Sequence, residues 1–247
     1  VPESSVEFSN VSYALPSGRL LLEDVSLRLE PGTTTALLGR SGSGKTTLLR
    51  MVNGLVMPTS GETLVSGRPS SGWDLLELRR GIGYVIQETG LFPHMNVARN
   101  AGLAMELARR PAAEIAERVA AVMNSAGLDP SFANRMPWEL SGGQRQRVGL
   151  ARALATDPGI LLMDEPFGAL DPMTRAEMQT MLRDLLHRVR KTVLLVTHDL
   201  DEALYLAERV VFVESGKLVA ELAACEVLRS ENPHVQAYVN AVHRAVR

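Results

Sequence analysis

Residues 39–46 read Gly39-Arg40-Ser41-Gly42-Ser43-Gly44-Lys45-Thr46, a G-x-x-x-x-G-K-[ST] run that has meaning only between a strand and a helix. The flanks supply both. Thr34–Leu38 is a short apolar strand pattern, and Thr46–Leu55 is a helical one. Glycines let backbone N–H groups turn inward around phosphate oxygens, and the following helix presents its positive end. Lys45 would reach β- and γ-phosphates as a point charge, and the Thr46 hydroxyl would ligate Mg²⁺. The chain has only three lysines, Lys45, Lys191 and Lys217, yet keeps one in this slot. A planar guanidinium could not replace a compact ammonium inside such a loop. The expected nucleotide contacts are Gly39, Arg40, Ser41, Gly42, Ser43, Gly44, Lys45, Thr46 and Thr47.

Around the loop the pattern is α/β. Val6, Phe8 and Val11, then Val25, Leu27 and Leu29, read as half-buried strands either side of a turn at Pro16-Ser17-Gly18. Further strands are expected at Glu62–Val65, Ile82–Gln87, Ile160–Met163 and Thr192–Thr197, with helices over Leu75–Arg80 and Asp201–Ala207. A hairpin is expected at Val210–Val213 and Leu218–Ala220, turning at Ser215-Gly216. From about residue 90 to 157 helical periodicity replaces strand runs. Ile115, Val119, Val122 and Ala126 share one helix face, and Pro111, Pro130 and Pro137 separate the helices. A later helix carries Met178, Met181, Leu182, Leu185 and Val189 on its buried stripe, and Asn232–Arg247 reads as a closing helix. The expectation is one domain over 1–247. Its core spans about 1–89 and 158–230, the helical subdomain about 90–157, and the closing helix about 232–247.

Ile160–Met163 ends in Asp164 and Glu165. Two acids at the C-terminal end of a buried strand lie where open α/β sheets place ligands. Asp164 can hold Mg²⁺, and Glu165 can polarise an attacking water as general base. Leu140-Ser141-Gly142-Gly143-Gln144 opens another helical run, Arg145–Leu154. A serine N-cap accounts for Ser141 but leaves two glycines and a glutamine together unexplained.

That pentapeptide resembles the signature of the ATP-binding-cassette (ABC) ATPases. The resemblance implies a P-loop NTPase (RecA-like) core with an N-terminal antiparallel β-subdomain and an inserted α-helical signature subdomain. It also implies that Ser141, Gly142, Gly143 and Gln144 bind the γ-phosphate of ATP held by a second copy, or by a similar subunit, in a head-to-tail dimer. The family's other marks follow in order. Gln87 matches the glutamine that contacts Mg²⁺ and water and senses the membrane partner. Ala169-Leu170-Asp171 matches the segment that crosses the dimer interface. His198 matches the histidine that bonds the γ-phosphate and, with Glu165, promotes hydrolysis. The family's adenine-stacking aromatic has no direct counterpart; its slot falls on Leu15, with Tyr13 two residues earlier on the same strand face.

Leu78–Gln87, Gly90–Met95, Phe167–Arg175 and His198–Ala203 resemble the importers of glycine betaine, choline or carnitine, and share parts with amino-acid and polyamine importers. Many of the former carry C-terminal regulatory domains, for which no room is expected before Arg247. An aromatic cage for a quaternary ammonium belongs to a separate binding protein, since only 4% of residues are aromatic. A transmembrane permease would face the segment after Gln87, including Leu91, Phe92 and Pro93, unless these are buried in the helical subdomain.

Bulk composition sets limits on the rest. A formal charge of −2 argues against nucleic acid as partner, and the single Cys225 excludes an internal disulfide. Non-transport ABC proteins would need long coiled coils or a second cassette, and a P-loop kinase or GTPase would leave Leu140–Gln144 unexplained. The start, Val1-Pro2-Glu3-Ser4-Ser5, shows no signal peptide, and apolar runs such as Val210–Val213 fall far short of the ~18–20 residues of a membrane span. The expected location is peripheral, on the cytoplasmic face of a bacterial inner membrane.

Overall fold

A computed structural model describes residues 5–87 and 89–243. The polar start at residues 1–4 and the last four residues of the expected closing helix lie outside the described residues. Along the chain, β1 (Val6–Ala14) and β2 (Leu20–Leu29) precede β3 (Thr34–Leu38), α1 (Lys45–Val52), β4 (Ser60–Val65), β5 (Arg68–Pro69), α2 (Leu75–Arg80) and β6 (Ile82–Val85). Helices α3 (Val97–Leu107), α4 (Ala112–Ser125) and α5 (Gly142–Leu154) come next, then β7 (Ile160–Asp164), α6 (Pro172–Val189) and β8 (Thr192–Thr197). The chain closes with α7 (Leu200–Leu206), β9 (Arg209–Glu214), β10 (Lys217–Ala223) and α8 (Pro233–His243). It divides into two compact units, Val1–Leu78 with Lys191–Arg247, and Arg79–Arg190.

In the first unit, β2-β1-β4-β5 form an antiparallel sheet. The strands β10-β9-β3-β8 form a second run, in which β3 pairs in parallel with both β9 and β8. Every residue of β3 and β8 is buried, as expected of parallel strands covered on both faces. Val6, Phe8 and Val11 are all inside, although the step from 8 to 11 breaks period two. A bulge resolves this: the register shifts between Phe8 and Val11, Asn10 takes φ +49°, and its Nδ2 donates to Asp24 Oδ1 at 2.8 Å. An extra residue on one strand restores the inward face after the kink. The shared strand face expected for Tyr13 and Leu15 is not observed, because β1 ends at Ala14 and Leu15 enters the turn. The β9–β10 hairpin turns at Ser215 and Gly216 with φ +49° and +82°, the positive pair a type I′ turn requires.

The second unit pairs β6 and β7 in parallel. Of the expected α4 face, Val119, Val122 and Ala126 are buried and Ile115 is half-buried. Pro111 stands at the N-cap of α4, while Pro130 and Pro137 open single 3₁₀ turns, where a missing N–H costs nothing. On α6 the buried stripe is Met178, Leu182, Leu185 and Leu186. Met181 and Val189, expected there, are only half-buried, because the i, i+4, i+7, i+8 face continues through Leu186. Among the described residues no helix is long and apolar enough to cross a membrane.

Candidate nucleotide site

The loop at 39–44 joins β3 to α1. Gly44 sits at φ +104°, immediately before the helix, a backbone state closed to most side chains. Helix α1 starts with no side-chain cap and no acid in its first turn, the kind of helix start that receives an anion. Lys45 is buried, and its Nζ donates to the carbonyls of Gly39 and Arg40 at 2.8 and 2.9 Å. The loop wraps around its own ammonium. Ser43 Oγ is buried without a hydrogen-bond partner, an orphan hydroxyl that a phosphate oxygen would satisfy. Thr46 and Thr47 are half-buried at the same helix start.

In the register of β3 with β8, Leu38 pairs with Thr197. Gly39 and His198 therefore leave neighbouring strands at the same, C-terminal end, the edge where parallel sheets bind ligands. His198 is exposed, and its carbonyl accepts a hydrogen bond from the Tyr238 hydroxyl at 2.7 Å. A cavity of about 960 Å³ adjoins the loop, lined by Gly39–Ser43, Leu20 and Leu21, the end of β9, and α8. Neither Tyr13 nor Leu15 lines it; its apolar lining includes Leu20 and Leu21 together with Phe212, Val213 and Val219, none of which sequence reasoning singled out as a ligand contact.

In the second unit, Val85 pairs with Met163, so Gln87 and Glu165, each two residues further on, emerge side by side. Gln87 Nε2 donates to Glu165 Oε2 at 3.3 Å. Gln87 lies in a turn beyond β6, not on the strand expected to reach it. Glu165 adopts φ +45°, a strained left-handed state for a non-glycine residue, and such strain concentrates at functional positions. Asp164 is 3% exposed, and the Tyr84 hydroxyl approaches its Oδ2 at 3.5 Å. An oxygen-rich end of this kind suits Mg²⁺, a hard cation that takes one or two carboxylates and keeps several waters.

Ser141 caps α5, with Gln144 as its reciprocal partner. Ser141 Oγ accepts from Gln144 N at 3.2 Å, and Gln144 Oε1 accepts from Ser141 N at 2.9 Å. This capping box gives the glutamine the local role that a serine cap alone did not. Gly143 is buried, and a Cβ there would meet Thr174 Cγ2 at 2.5 Å, so close approach to α6 demands a glycine. Gly142 lies beside Leu170, which brings the signature next to the 169–171 segment. Asp171 caps α6 through Thr174 N at 3.1 Å, and its hydrogen bonds from Thr174 hold its carboxyl below the usual carboxylate range. Ser141 remains exposed.

Two scaffolding residues were illegible in sequence. Arg152 on α5 donates from Nη1 to the Gly90 carbonyl and from Nη2 to the Thr89 carbonyl, both at 2.6 Å, and burial presses its pKa down. Asn100 is fully buried; it accepts from Phe92 N at 2.8 Å and donates to the carbonyls of Phe92, Met95 and Asn96 at 3.1, 2.8 and 3.1 Å. That turn keeps Phe92 41% exposed, with Pro93 exposed and Leu91 half-buried.

The family model described as ABC transporter matches residues 22–168. The chain belongs to the ABC transporter family. It is 42% identical over 221 residues to the choline transport ATP-binding protein OpuBA of Bacillus subtilis, covering 90% of this chain and 58% of that one. Against the glycine betaine uptake system ATP-binding protein YehX of Escherichia coli, identity is 43% over 243 residues, covering 98% and 79%. The methionine import ATP-binding protein MetN of Cereibacter sphaeroides is 40% identical over 247 residues, covering 97% and 70%. The chain thus spans about three fifths of the length of OpuBA and more of the other two. Among solved structures it resembles the dimeric ABC transporter cassette MJ0796, at TM-score 0.79 and 34% identity over 89% of this chain and 98% of that one. The same cassette is also known in a dimeric post-hydrolysis state bound to ADP and Pi. The α/β fold with its antiparallel sheet is that of a cassette of this family.

Proposed function

We propose that this chain binds and hydrolyses ATP as the nucleotide-binding subunit of an importer, and that the solute is a quaternary-ammonium osmoprotectant of the glycine betaine or choline type. One observation carries the ATP reading: an uncapped α1 start, a buried Lys45 ammonium held by two loop carbonyls, and an orphan Ser43 hydroxyl occupy one loop. Gly39–Thr47 would cradle the phosphates. Thr46, Gln87 and Asp164 would hold Mg²⁺, which when bound draws charge from the phosphate oxygens. Glu165 would accept a proton from the attacking water, and His198 would steady the γ-phosphate.

The exposed Ser141 at a helix start, with Gly142–Gln144 and Asp171, supports a site completed by a second copy of the chain or a similar subunit, as the dimeric MJ0796 cassette encourages. The division into a core and a helical subdomain at about 90–157 is proposed on the same grounds. A membrane permease would dock on the surface around Phe92 and Pro93, beside a cavity of about 780 Å³ lined by His94, Met95, Ile115, Val119 and Met136. A binding protein would deliver the solute from the far side, leaving this subunit peripheral on the cytoplasmic face. Nucleic acid has no part in this reading.

The solute reading rests on OpuBA and YehX, and the comparable identity to MetN supports amino-acid import as the second reading. Reconstitution with membrane and binding subunits in vesicles separates them. Glycine betaine or choline should stimulate ATP turnover severalfold; stimulation by methionine alone would favour the second reading.

A further inference from the structure

We infer that Tyr238 is a positioning residue for His198, so that α8 sets the geometry of ATP hydrolysis; this rests on the reading of His198 as the residue that steadies the γ-phosphate. Helix α8 is fixed at several points. Val235 is fully buried, Asn232 accepts from His234 N at 2.9 Å at the helix start, and His234 Nδ1 lies 2.7 Å from Glu214 Oε2. One turn further on, the Tyr238 ring packs edge-on against Phe212, with centroids 5.8 Å apart at 78°. Phe212 is buried on β9 and pairs with Leu38, the last residue of β3 before the phosphate loop. Leu38 pairs in turn with Thr197, the residue before His198.

The ring thus rests on the strand beside the loop strand, and its hydroxyl donates to the His198 carbonyl at 2.7 Å. That bond restrains the peptide between His198 and Asp199. On its far side the same peptide is steadied by Asp199, whose N–H donates to Thr197 Oγ1 at 3.0 Å and whose carboxylate caps α7 through Glu202 N at 3.1 Å. With ψ of His198 held from both directions, the imidazole leaves the backbone along a fixed line. A restrained backbone sets the point and direction from which the side-chain rotamers start, and catalytic groups lose rate steeply when misplaced. In this inference the hydroxyl acts through His198, by way of its bond to the His198 carbonyl.

Tyr238→Phe keeps the ring on Phe212 and deletes only the hydroxyl. ATP turnover by the full chain is compared for the wild type, Tyr238→Phe, His198→Ala and the double variant. Tyr238→Phe should lower kcat roughly three- to tenfold, the scale of one hydrogen bond, with KM for ATP and the thermal midpoint unchanged. The double variant should be no slower than His198→Ala alone. Wild-type turnover in Tyr238→Phe, with His198→Ala slow, overturns the inference and leaves the histidine reading standing. Multiplying losses in the double variant, or a lowered thermal midpoint in Tyr238→Phe, also overturn it by showing a structural effect. Wild-type turnover in His198→Ala overturns the histidine reading and this inference with it.

Discussion

Leu20 is 48% exposed at the rim of the cavity beside the phosphate loop, where an adenine ring could cover it. Covering half of a leucine side chain contributes about 1 kcal/mol, so Leu20→Ser should weaken ATP binding about fivefold in calorimetric titration. Tyr13→Ala and Leu15→Ala should change it less. A larger loss in Tyr13→Ala would return the adenine contact to β1. At this scale, sequence singles out the residues proposed to touch ligand. Lys45, Asp164, Glu165 and Gln87 were all visible, because phosphate and metal chemistry restricts the residue type and its spacing. Residues that fasten the backbone from elsewhere in the chain were invisible. Tyr238, Arg152 and Asn100 bond to backbone carbonyls 40, 63 and 8 residues away, and a carbonyl leaves no trace in the sequence of its owner.

Among the elements, β8 and α2 matched their expected limits residue for residue, since both are short runs of one character between clear stops. Helix α1 ends at Val52, not Leu55, because Gly54 takes φ +64° and breaks the turn that apolar periodicity would have continued. The β1 bulge was unreadable for a related reason: it depends on a bond between Asn10 and Asp24 that only the paired strands create. Segment 92–96 offers the clearest test at this scale. Asn100→Ala removes four hydrogen bonds to backbone and leaves Phe92 N and the Met95 carbonyl without their side-chain partner, so it should cost about 1–3 kcal/mol in urea unfolding and slow permease-stimulated turnover more than basal turnover. Equal loss of both would mean that the turn serves only stability. The signature helix gives a second contrast. Ser141→Ala loses a cap worth about 1 kcal/mol, whereas Ser141→Arg should abolish ATP hydrolysis and spare ATP binding by the monomer. Unchanged turnover in Ser141→Arg would sink the shared site.

For the whole molecule, the resemblance to the dimeric MJ0796 cassette makes pairing the expectation to test. Glu165→Gln keeps the hydrogen bond to Gln87 but removes the proton acceptor, so it should accumulate an ATP-bound dimer in size-exclusion chromatography with turnover down by 10²-fold or more. A variant that stays monomeric and hydrolyses ATP normally would remove Glu165 as the base. The solute class was read only through resemblance, because no residue in this chain was assigned to a solute contact. The bonds from Arg152 to Thr89 and Gly90 have a mechanical consequence. They rivet the loop after Gln87 near one end of α5, while Ser141 stands at the other, about 16 Å away at 1.5 Å per residue. A helix of that length resists bending, so a displacement imposed at Thr89 would be expected to move the serine at its far tip as well.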